Sequence, residues 1–373
     1  MRILHVSDRL SERGGAHWHL RSVIERLAAL GHRVDLAVGA LDDEVTPPCP
    51  LHVVAGLDER RRRAVDLAPV IAATRPDVVH LHTVVNPSVL EWAGGVPALI
   101  TVQDHRYFCP ALGKWTADGQ VCRAPMDARA CAACFDDGAY FHEVYGLTDE
   151  RRRALGRLPV VVLSRYMRDE LTAVGVPRER IVVVPPFVHG LDAGARAGGP
   201  PCVLFAGRLA AGKGVREAVL AWRASGLDLP LVFAGTGPLR AELERDGLTV
   251  LGWVPHAALA AVYRRAAALL MPSRWQEPFG IVGLEARTLG TPVAAWRSGG
   301  VAEWHDGGPS LVEWGDVPAL AEALRHATSG PRSTAPAGFE PEPLMERLLA
   351  VYGSVRAQGS ITGSTRREAW GRP

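Results

Sequence analysis

Short apolar runs of four or five residues alternate with longer amphipathic stretches along the chain, and most of the runs stop at or beside Gly or Pro. In the first half, residues 2–6, 34–38, 51–54, 78–81, 99–102 and 160–163 read as strands. Residues 11–15 form a glycine loop after the first of them, and 16–30 form a helix closed by Gly31. The second half repeats this grammar. Strands are expected at 203–207, 231–235, 249–252, 268–271 and 292–295, with helices at 215–224, 239–245 and 257–267 between them. Strand and helix in strict alternation imply parallel sheets with right-handed crossovers, and ligands bind such sheets at the carboxyl ends of the strands.

The pattern breaks once in the middle. Pro185, Pro186, Phe187 and Val188 lead into a Gly- and Ala-rich stretch, which divides the chain into a first domain at 1–188, a linker at 189–201 and a second domain at 202–340. Residues 341–357 are expected to form a C-terminal helix, and 358–373, polar and rich in Gly, Ser and Arg, a disordered tail. A chain of 373 residues is long enough for two cores, and a hydrophobic content of 47% is that of a globular protein. Residues 1–190 hold 23 Lys plus Arg against 23 Asp plus Glu, and the whole chain carries a net charge of +2. This balance offers no basic stripe for nucleic acid. No run of about 18 apolar residues is present to span a membrane, so a cytoplasmic protein is expected, with at most a weak peripheral membrane contact.

Two segments carry the chemistry. In Glu277-Pro278-Phe279-Gly280-Ile281-Val282-Gly283-Leu284-Glu285, a Pro/Gly turn separates two carboxylates. With a helix starting near Gly280, Glu285 lies about 7 Å along its axis while Glu277 stays in the preceding loop. The helix start between them, at Ile281 and Val282, presents unpaired N–H groups and a positive dipole end suited to a diphosphate. The second segment, Gly207-Arg208-Leu209-Ala210-Ala211-Gly212-Lys213-Gly214, follows a strand and supplies cations. Lys213 is one of only two lysines, with Lys114, among 42 Lys and Arg. A compact ammonium reaches between phosphate oxygens where a planar guanidinium does not fit. Gly14 and Gly15 form either a tight turn or a place where backbone N–H groups approach a phosphate or sugar.

In order, the chain carries Gly207–Gly214, the turn Ala234-Gly235-Thr236-Gly237-Pro238, Leu251-Gly252-Trp253-Val254-Pro255, Pro272-Ser273, the two-glutamate segment, Gly290-Thr291-Pro292-Val293, and Ser298-Gly299-Gly300 with Glu303. This set resembles the retaining, nucleotide-sugar-dependent glycosyltransferases of family 4, group 1. The resemblance implies an α/β GT-B fold, two doubly wound Rossmann-like domains facing across a cleft, with the C-terminal helix crossing back to the first. It further implies transfer of a sugar from a nucleoside diphosphate sugar to a hydroxyl acceptor with retention and without a metal. Glu277 would hold the sugar, Glu285 the ribose, and Arg208 and Lys213 the diphosphate. Gly15, Gly237, Trp253, Val254, Phe279, Gly280, Ile281 and Val282 would complete the donor site. The alternatives are a phosphorylase or epimerase on the same fold, a glycosidase using the two carboxylates, or a sugar-nucleotide-binding subunit without catalysis.

The segment Thr101-Val102-Gln103-Asp104-His105-Arg106-Tyr107-Phe108-Cys109-Pro110 resembles the family form TxHDxxxxCP, with Gln103 in place of the usual His. Asp104 or His105 is expected to bind the acceptor or assist its deprotonation, or only to cap the turn. His80 and His82 are expected on opposite faces of a strand, one at most facing a cleft. Four of the six cysteines, Cys109, Cys122, Cys131 and Cys134, fall within an insertion at about 105–150. They could hold a structural zinc, pack loosely as thiols, or form disulfides.

Overall fold

The computed structural model describes residues 1–42, 45–111, 113–191 and 199–357. Most of the expected linker and all of the expected tail at 358–373 lie outside them. The described chain divides into two compact units. One contains Met1–Pro110, Pro125–Pro185 and the helix Pro341–Ala357, and the other Ala111–Ala124 with Pro186–Glu340.

The first unit is built on seven parallel strands: β1 (Arg2–Leu10), β2 (Arg33–Leu41), β3 (Leu51–Val53), β4 (Val78–His82), β5 (Ala98–Val102), β6 (Val160–Val162) and β7 (Ile181–Val183). Their order in the sheet is β3-β2-β1-β4-β5-β6-β7. The chain enters at the middle, winds outward through β2 and β3, returns to pair β4 with β1, and winds out the other way. Every residue of β4 and β5 is buried, as expected for strands covered by helices on both faces. Leu4, Val6, Val79, Leu81, Ile100 and Val102 form the middle of the core. The helix Pro341–Ala357 adds Leu344, Met345, Leu348, Val351, Tyr352 and Val355 to the buried set, and its Arg347 guanidinium donates to the Val183 carbonyl oxygen at 3.0 Å.

The second unit has six parallel strands: β8 (Cys202–Ala206), β9 (Leu231–Ala234), β10 (Thr249–Gly252), β11 (Ala266–Met271), β12 (Val293–Trp296) and β13 (Leu311–Val312). They run in the order β10-β9-β8-β11-β12-β13, so the winding reverses between β8 and β11. The helix His256–Arg265 passes into β11 without a loop, so Ala266 and Ala267, expected in the helix, are strand residues, Ala266 paired with Cys202 of β8. An Ala/Leu run is compatible with either state, and the open ladder position beside β8 decides it.

The segment Ala111–Ala124, expected within the first domain, belongs to the second unit. The Gln276 N–H donates to the Gly113 carbonyl oxygen at 2.9 Å, and the Arg274 guanidinium lies 4.4 Å from the centroid of the Trp115 ring.

Candidate active site

In the second unit the chemistry gathers where the winding reverses, at the carboxyl ends of β8 and β11, the place where open α/β sheets bind ligands. Residues 207–214 leave β8, and 272–280 leave β11. Gly214 joins the two. It has φ +72° and opens the helix Val215–Ser225, and a Cβ there would lie 1.7 Å from the Pro272 carbonyl oxygen. Only glycine allows the Lys213 loop to approach so closely.

Lys213 Nζ donates to Glu277 Oε1 at 2.7 Å, and the Ser273 hydroxyl donates to the same oxygen. The ammonium also lies 4.1 Å from the centroid of the Trp275 ring, with the exposed Arg208 guanidinium 5.4 Å from that ring. Burial pushes the Glu277 carboxyl up, but the Lys213 charge and hydrogen bonds from Lys213, Ser273 and Trp275 together hold it below the usual carboxylate range. Burial lowers the Lys213 pKa against the pull of Glu277. Gly207, Lys213, Ser273, Glu277 and Val282 line a shared pocket.

The loop bearing Glu277 is fixed from behind. The Gly300 N–H donates to the Glu277 carbonyl oxygen at 2.8 Å, and the Gly299 N–H donates to Gln276 Oε1 at 2.9 Å. Gly299 has φ +54°, and a Cβ there would stand 2.3 Å from the Glu277 carbonyl oxygen. The Trp304 indole donates to the Phe279 carbonyl oxygen at 2.7 Å. Gly280 caps the helix Ile281–Thr288, so the first turn begins at Ile281 and Val282.

Glu285, on the buried side of that helix, accepts from the Tyr263 hydroxyl at 3.0 Å and lies 3.2 Å from His256 Nε2. Burial, followed by the Glu285 charge, pushes the Tyr263 phenol well up. Gly237, Trp253 and Val254 lie in the loops after β9 and β10. The sequence reading placed Ser273 in a motif without a role and missed Trp275, His256 and Tyr263. A signal existed for Ser273 and Trp275, which stand four and two residues before Glu277 in the same post-strand loop. His256 and Tyr263 carried none.

The first unit gathers a second set at the carboxyl ends of β1, β4 and β5. Asp104 receives a forked pair from the Arg106 guanidinium at 2.6 and 2.9 Å, and the Arg106 N–H as well. Burial raises the Asp104 carboxyl, but Arg106 outweighs it, and the net shift is downward. A carboxylate so held is a poor proton acceptor at neutral pH. His105 is buried against Phe108, with Tyr166 Oη 3.4 Å from its Nε2. Gln103 is buried, and neither amide atom has a partner among the described residues. Gly15 begins the helix Gly15–Ala29, capped by Gly14 at φ +109°.

Two expectations are corrected. His80 and His82 lie on one face of β4, their rings 3.9 Å apart, because side chains alternate with a period of two and residues two apart share a face. Among the described residues, no three of Cys109, Cys122, Cys131 and Cys134, expected as one alternative to hold a structural zinc, present ligand atoms within 4.8 Å of one another, and none of the six cysteines is in a disulfide. Among the described residues, the one group of three or more metal-type ligands within 4.8 Å of one another is His5, His80 and His82.

The family model for Glycosyltransferase Family 4 matches residues 13–189, and that for Glycosyl transferases group 1 matches residues 200–329. The chain belongs to the group 1, family 4 glycosyltransferases. It is 28% identical over 277 residues to a glycogen synthase of Mycobacterium tuberculosis, a match covering 69% of this chain and 61% of that protein. It is 36% identical over 234 residues to D-inositol 3-phosphate glycosyltransferase 1 of Catenulispora acidiphila, covering 50% of this chain and 55% of that one. The chain thus spans less than two thirds of the length of these relatives. Anabaena HepE, solved with UDP and glucose, superposes with a TM-score of 0.63 over 96% of this chain and 99% of its own, at 16% identity. The two parallel-sheet units are those of the GT-B fold. Among the described residues no helix is long and apolar enough to cross a membrane.

Proposed function

We propose that this protein transfers a sugar from a nucleoside diphosphate sugar to a hydroxyl of a small-molecule or saccharide acceptor, with retention at the anomeric carbon. The observation that carries this reading is the Lys213–Glu277 pair, set in a glycine-built pocket beside the start of the helix Ile281–Thr288. The leaving diphosphate gains negative charge as the glycosidic bond breaks. Lys213, Arg208 and the first N–H groups of that helix stabilise this charge without needing a metal ion. Glu277 accepts hydrogen bonds from sugar hydroxyls, and Glu285, whose oxygens keep lone pairs beyond those met by His256 and Tyr263, accepts from the ribose. Binding energy at these remote hydroxyls orients the anomeric carbon. HepE, whose structure holds UDP and glucose, makes a uridine donor the first to try.

At the other unit, Gln103, whose amide atoms have no partner among the described residues, is the group we assign to meet a substrate hydroxyl. Asp104 and His105 position this edge rather than accept a proton, since Arg106 already holds the carboxylate and Phe108 and Tyr166 enclose the imidazole.

The test is a thermal-shift screen against UDP, GDP, ADP, dTDP and their sugar conjugates. Turnover assays with sugar and cyclitol acceptors then follow the anomeric proton by NMR. One nucleotide class is expected to raise Tm, and the product is expected to keep the donor's anomeric configuration. No shift with any nucleotide would overturn the donor site, and inversion would overturn the mechanism.

A further inference from the structure

The sequence places three histidines on two adjacent parallel strands of the first unit, and the register brings them together. His5 of β1 pairs with His80 of β4, and His82 stands two residues further along the same face. Thr101 of β5 lies beside His82. The helices Gly15–Ala29 and Pro341–Ala357 cover this face with His19 and Tyr352. The three histidines are 0%, 1% and 0% exposed, and nothing in the glycosyl-transfer reading uses them.

Hydrogen bonding does not satisfy the cluster. His5 Nδ1 and His82 Nε2 share one hydrogen bond at 2.9 Å, while His5 Nε2 and His82 Nδ1 have no partner among the described residues. Two neutral imidazoles sharing one proton this way must leave one outer nitrogen as an N–H and the other as a bare lone pair, whichever tautomers they adopt. His80 differs, since its Nδ1 meets Tyr352 Oη at 2.6 Å and its Nε2 meets Thr101 Oγ1 at 2.7 Å.

We propose that His5, His80 and His82 form a buried site for one divalent transition-metal ion of the imidazole-preferring kind, zinc foremost. One ligand nitrogen from each lies within 4.8 Å of the others. Two nitrogens bound tetrahedrally to zinc at about 2.0–2.1 Å stand about 3.3 Å apart. The ion therefore enters between His5 Nδ1 and His82 Nε2 once their 2.9 Å contact opens by a few tenths of an ångström, and the proton they shared moves to the outer nitrogen of the ring that donated it, so that both outer nitrogens carry N–H. His80 turns one nitrogen inward, and the hydroxyl it gives up, Tyr352 or Thr101, is at hand as the fourth, oxygen ligand. Burial favours the neutral ring, which is the ligating form, and it excludes the open water position of a catalytic zinc. The site is structural. It ties β1 to β4 and, through Tyr352, brings the helix Pro341–Ala357 against the sheet.

The experiment uses the full chain without a histidine tag, freed of metal by chelator. Zn²⁺ or Co²⁺ is added both to the folded protein and during refolding, so that a closed entry path is not mistaken for a missing site. The expected result is one ion per chain after gel filtration, a raised Tm, and visible tetrahedral Co²⁺ bands without thiolate-to-cobalt charge transfer. The ion should persist in Cys131→Ser/Cys134→Ser and be lost in His82→Gln. Thiolate charge transfer, loss of the ion only in the cysteine variant, or no ion retained by either route would overturn the proposal. The Co²⁺ spectrum of the unaltered chain decides the matter even if His82→Gln fails to fold.

Discussion

Lys213 and Glu277 form a pair whose members are worth more together than apart. Removing either leaves the other's charge without a partner, so Glu277→Ala should cost about 1–3 kcal/mol of stability. The double variant with Lys213→Ala should recover part of that loss, as measured by urea unfolding of all four members of the cycle. Lys213→Ala should also lower turnover by about 10²–10³-fold, the usual result of removing one preorganised donor, while far-UV circular dichroism stays unchanged. Because the Glu277 carboxyl is held below its ordinary value, the unfolded chain binds more protons than the native one in the acid range. Its contribution is thus complete above about pH 4.3 and is lost as pH falls through the lowered native value. Glu277→Gln should be less stable than the parent at pH 7 and converge with it at low pH. A gap that stays constant would show the carboxylate charge to be irrelevant. Gly299→Ala, which would force a Cβ into the Glu277 carbonyl, should abolish the nucleotide-induced rise in Tm.

Among the elements, those that bury apolar surface on both faces were legible. The runs at 78–81 and 99–102 become β4 and β5 with a shift of one residue or less at each end. Of the four edge strands, β3 and β10 were read and β7 and β13 were not; β13 has two residues, too few for any period to register. The glycine turns and the helix start at 281 could be read because backbone chemistry fixes the residue types there. The partners of Glu285 could not, because His256 and Tyr263 come from a helix that only the fold brings alongside. Likewise, no spacing rule reveals that the run holding Cys122 joins a different unit from its neighbours. The helix Pro341–Ala357 contributes six buried side chains to the first unit, each worth about 1.5–3 kcal/mol on burial. Their sum is comparable with the 5–15 kcal/mol that holds a whole domain together. A chain stopped at Glu340 should therefore lose protection from hydrogen exchange in β1, β4 and β5 while β8, β9 and β11 keep theirs.

At the scale of the molecule, two cores share no residue, one centred on β1 and β4 and the other on β8 and β11. The proposed donor site lies in the second. A nucleotide at a hundred times its Kd adds about 2.7 kcal/mol to whichever unit binds it. Hydrogen exchange should show that gain at residues 207–214 and 277–285. The division of the chain also has a consequence for its synthesis. The first unit is written in instalments, its sheet before the other unit's and its closing helix after that unit's last strand. A ribosome must deliver the whole second unit before the first can be finished. The first unit's sheet, which emerges before that of the second, therefore waits through the second unit's synthesis with one flank uncovered, and a chaperone is expected to hold it for that time.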